Sequence, residues 1–209
     1  VILLFTDFGW QGPYVGQMHT VLHAQAPDQT IIDLMHDAPA FQPRPAAYLL
    51  AALAKHWPAD PVVVAVVDPG VGSKRLPLAV EAGGVWLIGP DNGLLVPVAR
   101  TLTPYQRWHQ ISWRPQQLSA SFHGRDLFAP TAARLAVGDD SGLTPLADDP
   151  IGWDWPAEEA AIISCDAYCN AIAGLKTQWP NRLNNFCSRA QVHPIFPKET
   201  ARKRIIHGQ

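Results

Sequence analysis

Val62-Val63-Val64-Ala65-Val66-Val67-Asp68-Pro69-Gly70-Val71-Gly72 is the stretch on which the fold turns. An unbroken β-branched run of this kind is what a strand covered on both faces looks like. The acid, proline and glycines that follow end it in a sharp turn, because glycine tolerates backbone angles that other residues avoid. Outward from this run, strand patterns recur at Val1–Thr6, Thr30–Leu34, Leu76–Val80 and Val85–Ile88, the run itself extending over Pro61–Val67. Between and after them, Tyr14–Gln25, Pro45–Trp57 and Asp126–Val137 carry apolar residues at helical three- and four-residue spacing. Strands alternating with helices predict an α/β domain over residues 1–137, built on a mainly parallel sheet flanked by helices.

In such a sheet, ligands bind beyond the carboxyl ends of the strands. Two predicted strands end there in an acid beside glycine: Thr6-Asp7-Phe8-Gly9 and Asp68-Pro69-Gly70-Val71-Gly72. One such Asp reads first as a turn cap. Two at the same sheet edge make a ligand site an equal reading. Gly89-Pro90-Asp91-Asn92-Gly93 is either a further wall of that site or an ordinary turn. His123, in Ser121-Phe122-His123-Gly124-Arg125-Asp126, stands where the last helix begins, with Asp126 placed for the positive helix end. No Gly-x-Gly-x-x-Gly follows a strand and no Walker lysine motif occurs, so nucleotide phosphates are not the expected ligand.

Composition sets outer bounds. Of 209 residues, 47% are hydrophobic and 16% charged, enough for a buried core and unlike a disordered chain. No apolar run approaches the roughly 18 residues that span a bilayer, and Val1–Phe5 is too short for a signal-peptide core. No membrane association and a cytoplasmic location are therefore expected. Cys165, Cys169 and Cys187 form no CxxC pair, so free or buried thiols are preferred over a metal site shared with His193 or His207. Residues 138–157 are rich in turn formers and acids and read as a linker, with a second domain over 158–209 that opens on a strand at Ala160–Cys165. Residues 1–175 hold 9 Lys/Arg against 17 Asp/Glu, whereas residues 176–209 hold 7 against 1. That basic tail raises nucleic-acid binding through residues 198–207, but no binding motif accompanies the charge, so nucleic acid is not an expected partner.

An ordered set of motifs resembles the S-adenosylmethionine (SAM) hydroxide adenosyltransferases, adenosine-forming SAM hydrolases related to the fluorinase and chlorinase enzymes. It comprises Thr6-Asp7-Phe8-Gly9 with Tyr14-Val15-Gly16; Asp33 with His36-Asp37; Val64 to Gly72 with Arg75; Gly89 to Leu95; and Phe122-His123-Gly124-Arg125-Asp126-Leu127-Phe128-Ala129-Pro130. The resemblance implies an α/β first domain, a small β-barrel second domain, and a homotrimer with substrate between the first domain of one subunit and the second of its neighbour. It implies hydrolysis of SAM to adenosine and methionine with no separate cofactor and no metal. Asp68, Arg75 and His123 match the water-activating set and Asp7 the ribose-holding acid. Asp166-Ala167-Tyr168-Cys169-Asn170 is similar to the family's Asp-x-Phe-Gly-Asn segment, placing Asp166 on the methionine ammonium and Asn170 on adenine.

The chain also departs from the family pattern, with Gly12 for an Asp, His19 for a Lys and Cys169 for a Gly. Residues 176–209 show no alternation readable as the late barrel strands, so the second domain is expected to be truncated or altered. Two alternatives follow. A catalytically impaired SAM- or adenosine-binding remnant is motivated by the altered tail. A halide-using relative is disfavoured by His123 and by the short Asp68–Asn92 interval.

Overall fold

The computed structural model describes residues 1–165, 171–174 and 192–194. The chain divides into two compact units, Val1–Ala157 and Glu158–Gln209.

The Val-rich run forms β3 (Val62–Val66), every residue of it buried. Its neighbours on either side are β1 (Ile2–Thr6) and β5 (Val85–Pro90), both parallel to it. Beyond β1 lies β2 (Ile31–Met35), also parallel. Beyond β5 come β4 (Pro77–Ala82), β6 (Gln106–Ile111) and β7 (Leu143–Pro145), each antiparallel to its neighbour, so the seven-stranded sheet is mixed with order β2-β1-β3-β5-β4-β6-β7. The parallel half holds four of the five strands predicted for the first domain; the fifth, expected at Leu76–Val80, is β4 and runs antiparallel, so the sheet is less uniformly parallel than expected.

Four helices cover this sheet: α1 (Tyr14–Gln25), α2 (Pro43–Leu53), α3 (Val96–Leu102) and α4 (Ala129–Ala136). α1 packs with α4, and α2 with α3. Ile2, Leu4, Val62, Val64 and Val66 meet Met18, Leu22, Phe128, Ala132 and Ala133 in one core cluster. The intervening Leu3, Phe5, Val63, Ala65 and Val67 are fully buried as well, as strand alternation requires of a sheet covered on both faces.

The structure adjusts several boundaries. The helix expected over 45–57 begins at Pro43 and gives way to a 3₁₀ turn, Ala54–His56, since proline is tolerated in a first helical turn. The helix expected from Asp126 opens with a π-type turn, Gly124–Phe128. In the first unit three elements had no sequence reading: α3, only seven residues long, β6, next to last in the sheet, and the edge strand β7. β7 lies inside residues 138–157, read as a linker, and that stretch belongs to the first unit through Ala157.

In the second unit, β8 (Glu159–Cys165) pairs antiparallel with β9 (Ala171–Gly174), and β10 (Val192–Pro194) pairs parallel with β9. β10 falls in a region where the sequence showed no strand pattern; three residues are too few to reveal a period of two.

Candidate active site

Three segments converge beyond the carboxyl ends of β1 and β3. The first is the turn after β1. Asp7 accepts a 2.9 Å hydrogen bond from the Phe41 amide at Oδ2. Phe41 achieves this with φ of 57°, a left-handed conformation that a bulky residue adopts only when its surroundings impose it. Among the described residues no cation pairs with Asp7, and burial first, with the nearby Asp68 charge adding to it, raises its carboxyl above the ordinary value of 3.8.

The second segment is the turn after β3. Asp68 leaves the strand and Arg75 folds back onto it, its Nε donating to Oδ1 at 3.1 Å and to Oδ2 at 3.0 Å, while Nη2 also donates to Oδ2. Only 5% of the Asp68 side chain and 8% of the Arg75 side chain are exposed, so this is a desolvated pair rather than a surface one. The Arg75 guanidinium also lies 5.2 Å from the centre of the fully buried Phe128 ring.

The third segment carries His123. Arg75 Nη2 lies 2.9 Å from His123 Nδ1. A guanidinium can only donate, so Nδ1 is the acceptor, and in the neutral ring the proton sits on Nε2. Burial lowers the His123 pKa below its ordinary 6.5, and the Arg75 charge adds to this, so the ring stays neutral through neutral pH. Gly72 makes the approach of the two loops possible. It has φ of 78°, and a Cβ there would stand 2.4 Å from the Ala120 carbonyl oxygen. On the other side, Asp126 accepts from the Ser119 amide at 2.9 Å, anchoring the loop that leads into His123.

These groups border a cavity of about 280 Å³ lined by Asp7, Asp68, His123 and an aromatic wall. Within that wall, Phe122 meets Phe8 edge-on at 5.5 Å and Tyr14 at 5.1 Å. Asp68, Arg75 and His123 are thus one hydrogen-bonded cluster, and Asp7 shares the cavity with two of them. Asp166 and Asn170 lie outside the described residues. Sequence reading gave no role to Phe41; it lies in no quoted motif, and only the fold brings its amide to Asp7. Gly89–Gly93 does not line the cavity. Asn92 instead donates to the Val67 carbonyl at 2.8 Å, bracing the end of β3 next to Asp68. Among the described residues no group of three or more His, Cys, Asp or Glu is arranged to hold a metal ion.

Residues 2–143 match the family model described as the SAM hydroxide adenosyltransferase N-terminal domain. The chain is 44% identical over 146 residues to the (R)-S-adenosyl-L-methionine hydrolase of Salinispora arenicola, covering 68% of this chain and 54% of that protein. It is 38% identical over 194 residues to the protein of the same name from Thermus thermophilus, covering 83% of this chain and 74% of that one. The chain therefore spans about half the length of the Salinispora relatives, 54% of each. Among solved structures, an uncharacterized conserved protein from Thermotoga maritima superposes with a TM-score of 0.76 at 27% identity, over 84% of this chain and 72% of the other. A conserved hypothetical protein from Thermus thermophilus does so with a TM-score of 0.65 at 33% identity, over the same shares, 84% and 72%. With a family model covering most of its length on the domain that carries the cavity, this chain belongs to the SAM hydroxide adenosyltransferase family.

Proposed function

We propose that the protein hydrolyses SAM to adenosine and L-methionine by in-line attack of water on the ribose 5′ carbon. The observation that carries this is the Asp68–Arg75–His123 cluster at the edge of an aromatic-walled cavity that also holds the carboxylate of Asp7. The relatives' name, (R)-S-adenosyl-L-methionine hydrolase, supports the same reaction.

The balance of the reaction fits these groups. One C–O bond forms, the C–S bond breaks, its electron pair goes to sulfur, and the water loses one proton. The leaving thioether is neutral and needs no acid, so the site has only to orient and partly deprotonate the water. His123, with its proton on Nε2, donates to the water oxygen and fixes it. Asp68, whose oxygens keep lone pairs beyond those bound by Arg75, accepts the proton. Arg75 holds both in register. Asp7 takes the ribose hydroxyls, and the rings of Phe8, Tyr14 and Phe122 flank the nucleoside. A sulfonium and a partly negative oxygen neutralise one another as the bond forms, so a water-poor cavity favours the transition state.

Asp166 on the methionine ammonium, Asn170 on adenine, a homotrimer and a cytoplasmic location belong to the same proposal. So does the absence of any cofactor or metal, checked by turnover that survives a chelator. The homotrimer is checked by sedimentation.

The test is to incubate the protein with SAM in ¹⁸O-labelled water. Labelled adenosine plus methionine is the expected result. S-adenosylhomocysteine, or binding without turnover, overturns the hydrolysis. Asp68→Asn and His123→Ala are expected to bind SAM normally and to lose about 10²–10⁴ in kcat, the usual contribution of a positioned proton acceptor.

A further inference from the structure

We propose that Thr6, His36 and Asp33 are positioning residues for Asp7, forming a one-way chain of hydrogen bonds, buried at Thr6 and His36, that holds this carboxylate where the ribose needs it. The proposal rests on the reading of Asp7 as the ribose acceptor. None of the three residues lines the cavity, so they act through Asp7.

The chain begins on the turn itself. The Phe8 amide donates to Thr6 Oγ1 at 3.2 Å, curling the backbone around Asp7. Thr6 Oγ1 lies 2.7 Å from His36 Nδ1, and His36 Nε2 lies 2.9 Å from Asp33 Oδ1. His19 Nε2 reaches the same oxygen at 2.8 Å. Direction follows from the far end. Burial would raise the Asp33 pKa, but hydrogen bonds from His36 and His19 outweigh it and hold the carboxyl below its ordinary value. An ionised carboxylate only accepts, so both histidines donate to it through Nε2. With its proton on Nε2, the His36 ring offers Nδ1 to the Thr6 hydroxyl, whose own oxygen is left to receive the Phe8 amide.

Thr6 and His36 are both fully buried, so a break in the link between them leaves a donor or acceptor without water to replace its partner. The main chain clamps the same turn a second time. The Gly9 amide donates to the His36 carbonyl at 2.6 Å and the Ala38 amide to the Thr6 carbonyl at 3.1 Å. The backbone leaving His36 then reaches Phe41, whose amide holds the Asp7 carboxylate.

The test compares Thr6→Val, which removes the hydroxyl at nearly constant shape, with Thr6→Ser, which keeps it. For Thr6→Val we expect about a tenfold rise in both KM for SAM and Kd for adenosine, with kcat within about twofold. Thr6→Ser is expected to restore both. Unchanged Kd in a folded Thr6→Val protein, or a fall in kcat alone, overturns the positioning role. ¹⁵N NMR of the unmodified protein is a second measurement that needs no variant: His36 protonated on Nε2 and bare on Nδ1 is expected, and a proton on Nδ1 overturns the chain. Failure of the underlying reading looks different, because then the unmodified protein itself binds no adenosine and turns over no SAM.

Discussion

Asp7 and His123 are perturbed in opposite directions, and each shift has its own kinetic signature. In the proposed reaction Asp7 must be ionised to receive hydroxyl protons, and its pKa is raised above 3.8, mainly by burial. Lowering the pH should therefore raise KM in a limb centred above the ordinary 3.8. In the same proposal His123 must be neutral, and its pKa is lowered below 6.5, again mainly by burial. The acid limb of kcat should lie below the ordinary histidine range, with a plateau through neutrality. A pH profile of the two constants measured separately checks both signs. Arg75 admits a cleaner test of geometry against charge. Arg75→Lys keeps the cation, but one ammonium cannot span both Asp68 oxygens and His123 Nδ1 as the guanidinium does. A loss of at least about tenfold in kcat is expected, with SAM affinity retained; activity equal to the parent protein would show that charge alone suffices.

At the scale of elements, the site depends on two turns that the strands only launch. The Asp68–Arg75 turn can lie against the Ala120 backbone because residue 72 has no side chain. Gly72→Ala combines a positive φ of 78° with a collision against a carbonyl oxygen. Such strain costs about 1–3 kcal/mol, and relieving it must move Arg75 away from His123. A lowered urea midpoint together with a fall in kcat is expected, whereas Gly138→Ala, with a φ of 85° but open space around it, should lower the midpoint alone. The elements that escaped sequence reading share a cause. β6, Gln106 to Ile111, mixes polar and apolar residues at an antiparallel position where burial is mostly partial. β7 has three residues, and α3 completes barely two turns behind a proline. Short or half-covered elements do not generate a periodic apolar signal.

For the whole molecule, the parallel half of the sheet is both core and foundation of the site, since β1 and β3 end in Asp7 and Asp68. Leu4 is fully buried at the centre of β1 and belongs to the cluster that includes Phe128. Leu4→Ala should cost about 2–5 kcal/mol in urea unfolding while leaving KM of the folded fraction unchanged. A changed KM would mean that the core tunes the site rather than carrying it. The sequence by itself determined the α/β class, the parallel strands, three of the helices and the acids at the strand ends. Those features are written in the periodicity and the turn residues of short contiguous stretches. Only the tertiary structure decided that Arg75 joins Asp68 to a histidine 48 residues further on, which ring nitrogen accepts from it, that the Phe41 amide reaches Asp7, and that Thr6, His36 and Asp33 are linked by hydrogen bonds. Such contacts link residues far apart in the chain. No local pattern encodes them, and they exist only once burial of the apolar strands has drawn the loops together.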